Sequence, residues 1–352
     1  MSQIALAVIA TGMICSLGNR TATVCAATKA GISGYRAVNI LNRRNKAIVM
    51  AQVPDGAMPP LTAEFALLNQ QLPGHTYMVQ LAASALLDCL SDSARRYPLP
   101  LFMSCPELLP GFNARLEPSF VEHVKTLSGC NIDIAHSRTF AMGRSGGFEA
   151  LKIAYSYFEA TGNEFALIGG VDSYRHFGRQ IEALDKDNRL LAEGATNGFA
   201  IGEGACFHLL AAPKAVVKYS LMPKIYLGYP AVDQEPGHRF SQLPYRGSGL
   251  SEAFRRALAA SPNIPIESIY SGLNGESFGA KELGIARIRN QPRLDLNIPV
   301  RHPADCFGDL GAAMAPMLWG VVAQNEKRPS LIYCSSDGPE RGAVCAWQPE
   351  YN

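Results

Sequence analysis

The first residues that invite a chemical reading are Gly143-Arg-Ser-Gly-Gly, a G-x-S-x-G string. Such a string can hold a serine on a sharp strand-to-helix turn with its hydroxyl exposed, which makes Ser145 a candidate nucleophile for ester hydrolysis. An acid and then a histidine would follow it in the chain, and Asp233 with His238, or Asp233 with His302, satisfies that order. A plainer role competes: a serine at the start of a helix caps backbone N–H groups, and short glycine strings recur by chance in a chain with 32 glycines. The thiols form a second set. Nine cysteines stand singly at positions 15, 25, 89, 105, 130, 206, 306, 334 and 345, with no CxxC and an odd total. That pattern implies neither a zinc ribbon nor a disulfide framework, and it fits thiols buried as small apolar groups in a reducing, cytoplasmic compartment. His75, His123, His136, His176, His208, His238 and His302 show neither HxH nor HExxH spacing, so no metal or other cofactor is expected.

These side chains need elements to position them. Apolar or β-branched runs ending in small residues, at 4–10, 99–104, 165–171, 199–210 and 331–335, read as strands. Segments 77–90, 148–158 and 250–258 carry apolar residues at helical spacing, and Leu310 to Ala323 reads as a central helix. Strands alternating with helices predict an α/β fold with a largely parallel sheet covered on both faces. Segments 37–71 and 220–247 read as loops, the second as a join between halves. Ala166-Leu-Ile-Gly-Gly-Val-Asp-Ser and Ser330-Leu-Ile-Tyr-Cys-Ser-Ser-Asp-Gly resemble one another and hint at a duplication.

At 352 residues, 47% hydrophobic and 18% charged, the chain can bury a large core and is not disordered. Thirty-two basic against 30 acidic residues, with no basic run longer than the Arg43-Arg44 pair, give no sign of a nucleic-acid partner. The N-terminus has no basic residue ahead of its apolar stretch, so it reads as a strand and not a secretory signal. The 310–323 stretch falls short of the roughly 20 residues that span a bilayer, so no membrane partner is expected.

Three segments, in order, carry a family resemblance. Ala10-Thr-Gly-Met-Ile-Cys-Ser-Leu-Gly-Asn with Ala30-Gly-Ile-Ser-Gly-Tyr-Arg, then Gly169-Gly-Val-Asp-Ser with Gly198-Phe-Ala-Ile-Gly-Glu-Gly-Ala, then Phe307-Gly-Asp-Leu-Gly-Ala-Ala-Met resemble the β-ketoacyl synthase branch of the thiolase superfamily. The resemblance implies a five-layered αβαβα fold of two similar halves, 1–215 and 216–352. It also implies a chain shortened between Asp172 and Gly198, and a dimer formed through the strand near Phe165.

The chemistry of that family is not matched. Its nucleophilic cysteine would stand at the start of a buried helix, where the helix dipole favours a thiolate. Here that slot falls on Met142 or Gly143. Its two histidines, which stabilise negative charge on the substrate, meet Asn274 and Asp309, and its lysine meets Ala304. Its glycine-rich gate is replaced by Ser335-Ser-Asp-Gly-Pro-Glu-Arg-Gly. Arg144, Ser145, Cys306, Glu340 and Arg341 would rim the former pocket, with Arg144 and Asp309 as a closing charge pair or, more plainly, as structural ion pairs. Cys306 could face the vacated cavity, or be a buried small apolar group.

The resemblance therefore implies a pseudoenzyme that acts by protein binding, alone as a homodimer or within a heteromer. Shortened chains of this kind, with GD where ketosynthases carry GH, are linked to bacterial type VI secretion effector clusters, which implies an adaptor or co-chaperone for an effector. The alternatives are a β-ketoacyl synthase, the inactive chain-length partner of one in fatty acid or polyketide synthesis, or a serine hydrolase using Ser145.

Overall fold

A computed structural model describes residues 5–109, 116–174, 178–291 and 293–351. The chain runs β1 (Leu6–Ile14), α1 (Thr21–Lys29), β2 (Tyr35–Leu41), β3 (Ala47–Ala51), α2 (Ala63–Gln71), α3 (Pro73–Cys89), β4 (Leu101–Ser104), α4 (Phe120–Ser128), β5 (Arg138–Phe140), α5 (Gly146–Thr161), β6 (Phe165–Ser173), α6 (Gly178–Lys186) and β7 (Ile201–Ala211). It continues through α7 (Pro213–Lys218), β8 (Ile225–Leu227), β9 (Ala231–Gln234), α8 (Ser248–Ala259), β10 (Ser268–Ser271), α9 (Ser277–Arg289), β11 (Val300–Arg301), α10 (Ala304–Phe307), α11 (Met314–Asn325), β12 (Ser330–Ser335) and β13 (Glu340–Trp347).

The sheet order β11-β10-β12-β13-β8-β1-β7-β6-β4-β5 is a palindrome of two identical patterns that meet where β1 pairs β8. In each half the third strand lies at the edge, followed by the second, fourth, fifth and first. The two resembling segments, now β6 and β12, occupy the same place in their halves. The edge pairs β5–β4–β6 and β11–β10–β12 are parallel, whereas β6–β7–β1 and β12–β13–β8 are antiparallel. The sheet is thus mixed and not largely parallel, because β7 runs back antiparallel beside β6, and β13 beside β12.

Helices cover it in layers. Between the two half-sheets lie α5 and α11, and Phe148 meets Trp319 edge to face at 5.6 Å between ring centres. A helix that is apolar all round belongs in such a central layer, and α11 is buried from Met314 to Val322. Pro316 sits in its first turn, where the missing N–H interrupts no helical bond. Gly147 sets the spacing, since a Cβ there would fall 2.9 Å from Ala315 Cβ. Outside the first half-sheet, α3 and α4 pack on Leu101, Met103 and Leu167. Outside the second, residues of α8 and α9 pack on Ile269, Leu331 and Cys345. The result is the five-layered αβαβα arrangement.

Two predicted loops hold regular structure. Segment 37–71 contains most of a hairpin, β2 with β3, and the helix α2, and β3 adds to β7 through Met50 and Ala51. Segment 220–247 contains β8 and β9, three and four residues long, too short to show a period of two in sequence. The strand that begins at Phe165 is interior: β6 pairs with β4 on one side and β7 on the other, so its backbone has no free edge for a second copy. The sheet ends instead at β5 and β11. Among the described residues, no helix is long and apolar enough to cross a membrane.

Candidate functional site

Four turns, the segment leading into β7 and the loop before α8 converge where the halves meet. After β5 the chain turns at Gly143, whose φ of +55° is left-handed and whose added Cβ would lie 2.8 Å from Glu107 Oε2. Glycine is the residue that tolerates both. That turn sends Arg144 inward at the start of α5. Opposite it, the Gly308–Gly311 turn is stitched to β7: Asp309 N–H donates to the Ala200 carbonyl at 2.9 Å, and Gly202 N–H donates to the Asp309 carbonyl at 2.9 Å. A Cβ on Gly202 would fall 2.8 Å from the Phe307 carbonyl, so this glycine of the G-E-G string serves the close approach. Asn274 and Glu276 come from the turn after β10, Asp337 from the β12–β13 turn, Arg189 from the segment before β7, and Arg239 from the loop before α8.

These side chains form one ionic cluster. Asp309, wholly buried, accepts from Arg144 Nε at 2.8 Å, Arg144 Nη2 at 2.5 Å, Asn274 Nδ2 at 2.8 Å and Gly311 N–H at 2.9 Å. Asp337 accepts from Arg144 Nη1 at 3.1 Å and from Arg189 Nη1 at 2.7 Å. Glu276 takes Arg189 in a two-pronged pair, 2.8 Å on each arm, and Arg239 Nη2 at 3.1 Å. The guanidiniums of Arg144 and Arg189 lie 5.8 and 5.2 Å from the centre of the Phe199 ring. Arg144 and Arg189 belong to the first half of the chain, while Asp309, Glu276, Asp337 and Arg239 belong to the second.

The charges balance. Three guanidiniums face Asp309, Glu276 and Asp337, and the fourth nearby acid, Glu107, is pushed up to about 8 by burial and by Asp337. Burial also opposes the charge on Asp337, but Arg144 and Arg189 outweigh it and hold that carboxyl well below the usual carboxylate range. Asp172 is raised to about 7 by burial, against N–H donation from Ala312 and Ser173 at 2.8 Å each. Every carboxylate oxygen of the central three already accepts a guanidinium, so none is free as a base. A carboxylate at Asp309 repels an oxyanion where a histidine would stabilise one.

Ser145 does not meet its proposed triad. It is wholly buried, and its hydroxyl lies 3.0 Å from the carbonyls of Cys334 and Glu340, to which it donates. It makes no side-chain cap for α5, so the capping role is corrected as well: its acceptors are carbonyls of the facing strands β12 and β13. Asp233 pairs with Arg256, and His302 Nδ1 lies against Ser271 Oγ. Met142 offers its carbonyl to Ser336 Oγ at 2.6 Å. Of the residues around the nucleophile slot, it is Arg144 that reaches Asp309, the partner of Asn274. Arg341 pairs with Glu282 at 2.5 Å and donates to the carbonyls of Ser336, Gly338 and Glu340, so it braces the turn that presents Asp337. Ala304, which the resemblance sets against a lysine, accepts from Tyr35 Oη at 2.8 Å through its carbonyl.

The thiols stand apart. All nine cysteines are free and buried. Cys334 senses Arg144 and Asp309, yet burial pushes its thiol above the usual range. Cys306 faces a different cavity, of about 530 Å³, lined also by Tyr270, His302 and Arg328, and burial raises it too. Among the described residues, no group of three or more His, Cys, Asp or Glu could hold a metal ion. His176 lies outside the described residues.

Solved structures share this architecture. The chain superposes on the ishigamide ketosynthase/chain length factor with a TM-score of 0.76 at 13% identity, over 99% of this chain and 100% of that one. The chain has a ketosynthase fold. A β-ketoacyl synthase from Burkholderia phymatum gives 0.74 at 13% identity over 99% and 100% of the two chains, and an oxazolomycin ketosynthase domain from Streptomyces albus gives 0.78 at 15% over 98% and 75%. No protein-family model and no curated protein sequence matches the chain.

Within this ketosynthase fold, sequence reading reached Arg144, Asn274 and Asp309 but missed Arg189, Arg239, Glu276, Asp337 and Glu107. Glu276 stands two residues after Asn274 in Gly272-Leu-Asn-Gly-Glu-Ser, and Asp337 stands inside Ser335-Ser-Asp-Gly-Pro-Glu-Arg-Gly, the string already set against the glycine-rich gate. Arg189 and Arg239 carry no local signal, since only the fold brings them to those acids.

Proposed function

We propose that this protein is a non-catalytic scaffold of ketosynthase fold that acts by binding protein. The observation that carries the reading is the buried Arg144–Asp309–Asp337–Arg189–Glu276 cluster, which occupies the junction where the nucleophile and both histidines of a ketosynthase are expected. On either side of it remain cavities of about 30 and 20 Å³. Sites for drug-sized ligands run to roughly 300 Å³ and more, and neither of these two cavities, as the described residues line them, reaches that size. The proposed partner is an effector, a chaperone or a related synthase subunit. Carried forward from the GD-for-GH resemblance, the finer proposal is an adaptor or co-chaperone for a type VI secretion effector. One structural neighbour is a ketosynthase in complex with an acyl-carrier protein, which supports a protein partner in general.

A second reading, the inactive partner of an active synthase, is favoured by the neighbour described as a ketosynthase/chain length factor and by the outer edge of β5, on which no described strand pairs. One experiment separates these readings from catalysis. Malonyl- and acyl-carrier-protein thioesters are incubated with the protein and followed by intact mass and by carbon dioxide release. No acyl adduct and no decarboxylation are expected, and either product would overturn the non-catalytic reading. Co-expression with the neighbouring genes of its host then distinguishes an effector complex from a synthase heterodimer.

A further inference from the structure

Beside the ionic cluster lies a small chamber between the β10 end, α9 and the β12–β13 turn. Glu282, Tyr333, Ser335, Arg144, Arg239 and Asp337 line it. Its walls hold buried polar atoms that find no hydrogen-bond partner among the described residues: Glu282 Oε2, Tyr333 Oη and Ser335 Oγ. Arg341 Nη2 behind Glu282 is also unpartnered, although the pair is wholly buried and joined at 2.5 Å through its other atoms. Tyr245 lies tilted against Phe278, another wall residue, at 4.7 Å between ring centres, and its hydroxyl also finds no partner among the described residues. Buried polar groups almost always have a partner, and several orphans around one cavity point to an occupant.

The walls define what that occupant is. Glu282 Oε2 can only accept, while the Tyr333 and Ser335 hydroxyls can do both, so the occupant must donate and also accept. Glu282 and Asp337 repel an anion, and the guanidiniums of Arg144 and Arg239 repel a cation. An apolar molecule would leave every orphan unpaired. The volume of about 30 Å³ suits about two water molecules, each taking roughly 10–15 Å³ of such space.

We propose that this chamber holds a fixed cluster of about two waters that bridge Glu282 Oε2, Tyr333 Oη and Ser335 Oγ, with Arg239 closing its mouth. Arg239 is suited to that place: its side chain is 22% exposed, pairs with Glu276 and Asp337, and lies 5.2 Å from the centre of the Phe278 ring. The waters complete the hydrogen bonding of the Glu282–Arg341 pair, which braces the turn carrying Asp337. This holds whichever partner the protein binds.

Two measurements on the full chain test it. A crystal structure that resolves ordered water should show density about 2.6–3.2 Å from those three oxygens. An empty chamber, a side chain filling it, or a different bound molecule would each overturn the proposal. Oxygen-17 relaxation dispersion of water counts long-lived internal waters. Tyr333→Phe or Ser335→Ala should lower that count by about one, and Arg239→Ala should shorten the residence time severalfold. No change from wild type in all three variants would refute it.

Discussion

Asp309→Ala isolates the ionic cluster as a stabilising device. The substitution leaves three guanidiniums facing two carboxylates and strips Arg144 of its strongest partner, although Arg144 keeps Asp337 at 3.1 Å. It also removes the acceptor of Asn274 and of the Gly311 N–H. Breaking a buried ion pair by deleting one member costs about 3–5 kcal/mol, and the surviving Asp337 contact places Asp309→Ala near about 3 kcal/mol. With an unfolding entropy of about 0.7 kcal/mol per degree for a chain of this length, Tm should fall by about 4 °C. Arg144→Met leaves the opposite imbalance and should cost a similar amount. The double variant Arg144→Met with Asp309→Leu restores neutrality and replaces the pair by apolar volume, which is often neutral or stabilising. It should therefore recover at least half of the summed loss. Differential scanning calorimetry of wild type, Arg144→Met, Asp309→Leu and the double variant gives the cycle, with Asp309→Ala measured beside them. Single variants within about 1 °C of wild type, or a double variant as unstable as the sum of the singles, would refute the claim that these charges depend on each other.

Further outcomes follow from the same geometry. Glu107 titrates near 8 when folded, against an ordinary 4.5, so the folded state binds the extra proton between those values. Its contribution is complete below about 4.5 and is lost as pH rises through about 8. Glu107→Gln should flatten the fall of Tm across that window relative to wild type, and an unchanged slope would show that other groups govern it. A fluorophosphonate probe should leave Ser145 unlabelled, because the hydroxyl is buried and already donates to carbonyls; a labelled Ser145 peptide would revive the hydrolase reading. Native protein should react slowly or not at all with a thiol-colorimetric reagent and show all nine cysteines in denaturant, whereas one or more fast thiols would mean that the buried packing is wrong. Trp319→Ala should cost about 3–5 kcal/mol, measured by denaturant unfolding, because Trp319 is wholly buried against Phe148 between the two half-sheets.

Much of the architecture was legible because burial writes itself into local pattern. The apolar runs that became β1, β4, β6, β7 and β12 are buried on both faces and carry no competing polar alternation. The all-round apolar stretch that became α11 could only lie inside. By contrast β8, β9 and β11 are two to four residues long, and their existence depends on neighbours that supply the ladder. The direction of β7 and β13 was likewise invisible, since a strand has the same pattern whichever way its partner runs. That is why a parallel sheet was expected and a mixed one is found.

By itself, the sequence determined which residue types stand at which offsets: Met142 and Gly143 before Arg144, Asn274 two residues ahead of Glu276, Asp309 between Gly308 and Gly311, and the glycines of the G-E-G string. The ketosynthase resemblance sets Met142 or Gly143 against a nucleophile, and Asn274 and Asp309 against two histidines. Those are statements about residue types at fixed offsets along one chain. The structure brings Arg144 onto Asp309, a pairing the sequence reading offers, and it alone decided that Arg189 and Arg239 arrive from distant segments to balance Glu276 and Asp337, and that Ser145 points at carbonyls. Such pairings rest on a few ångströms between groups far apart in sequence, and in a buried site those few ångströms decide whether a charge is compensated.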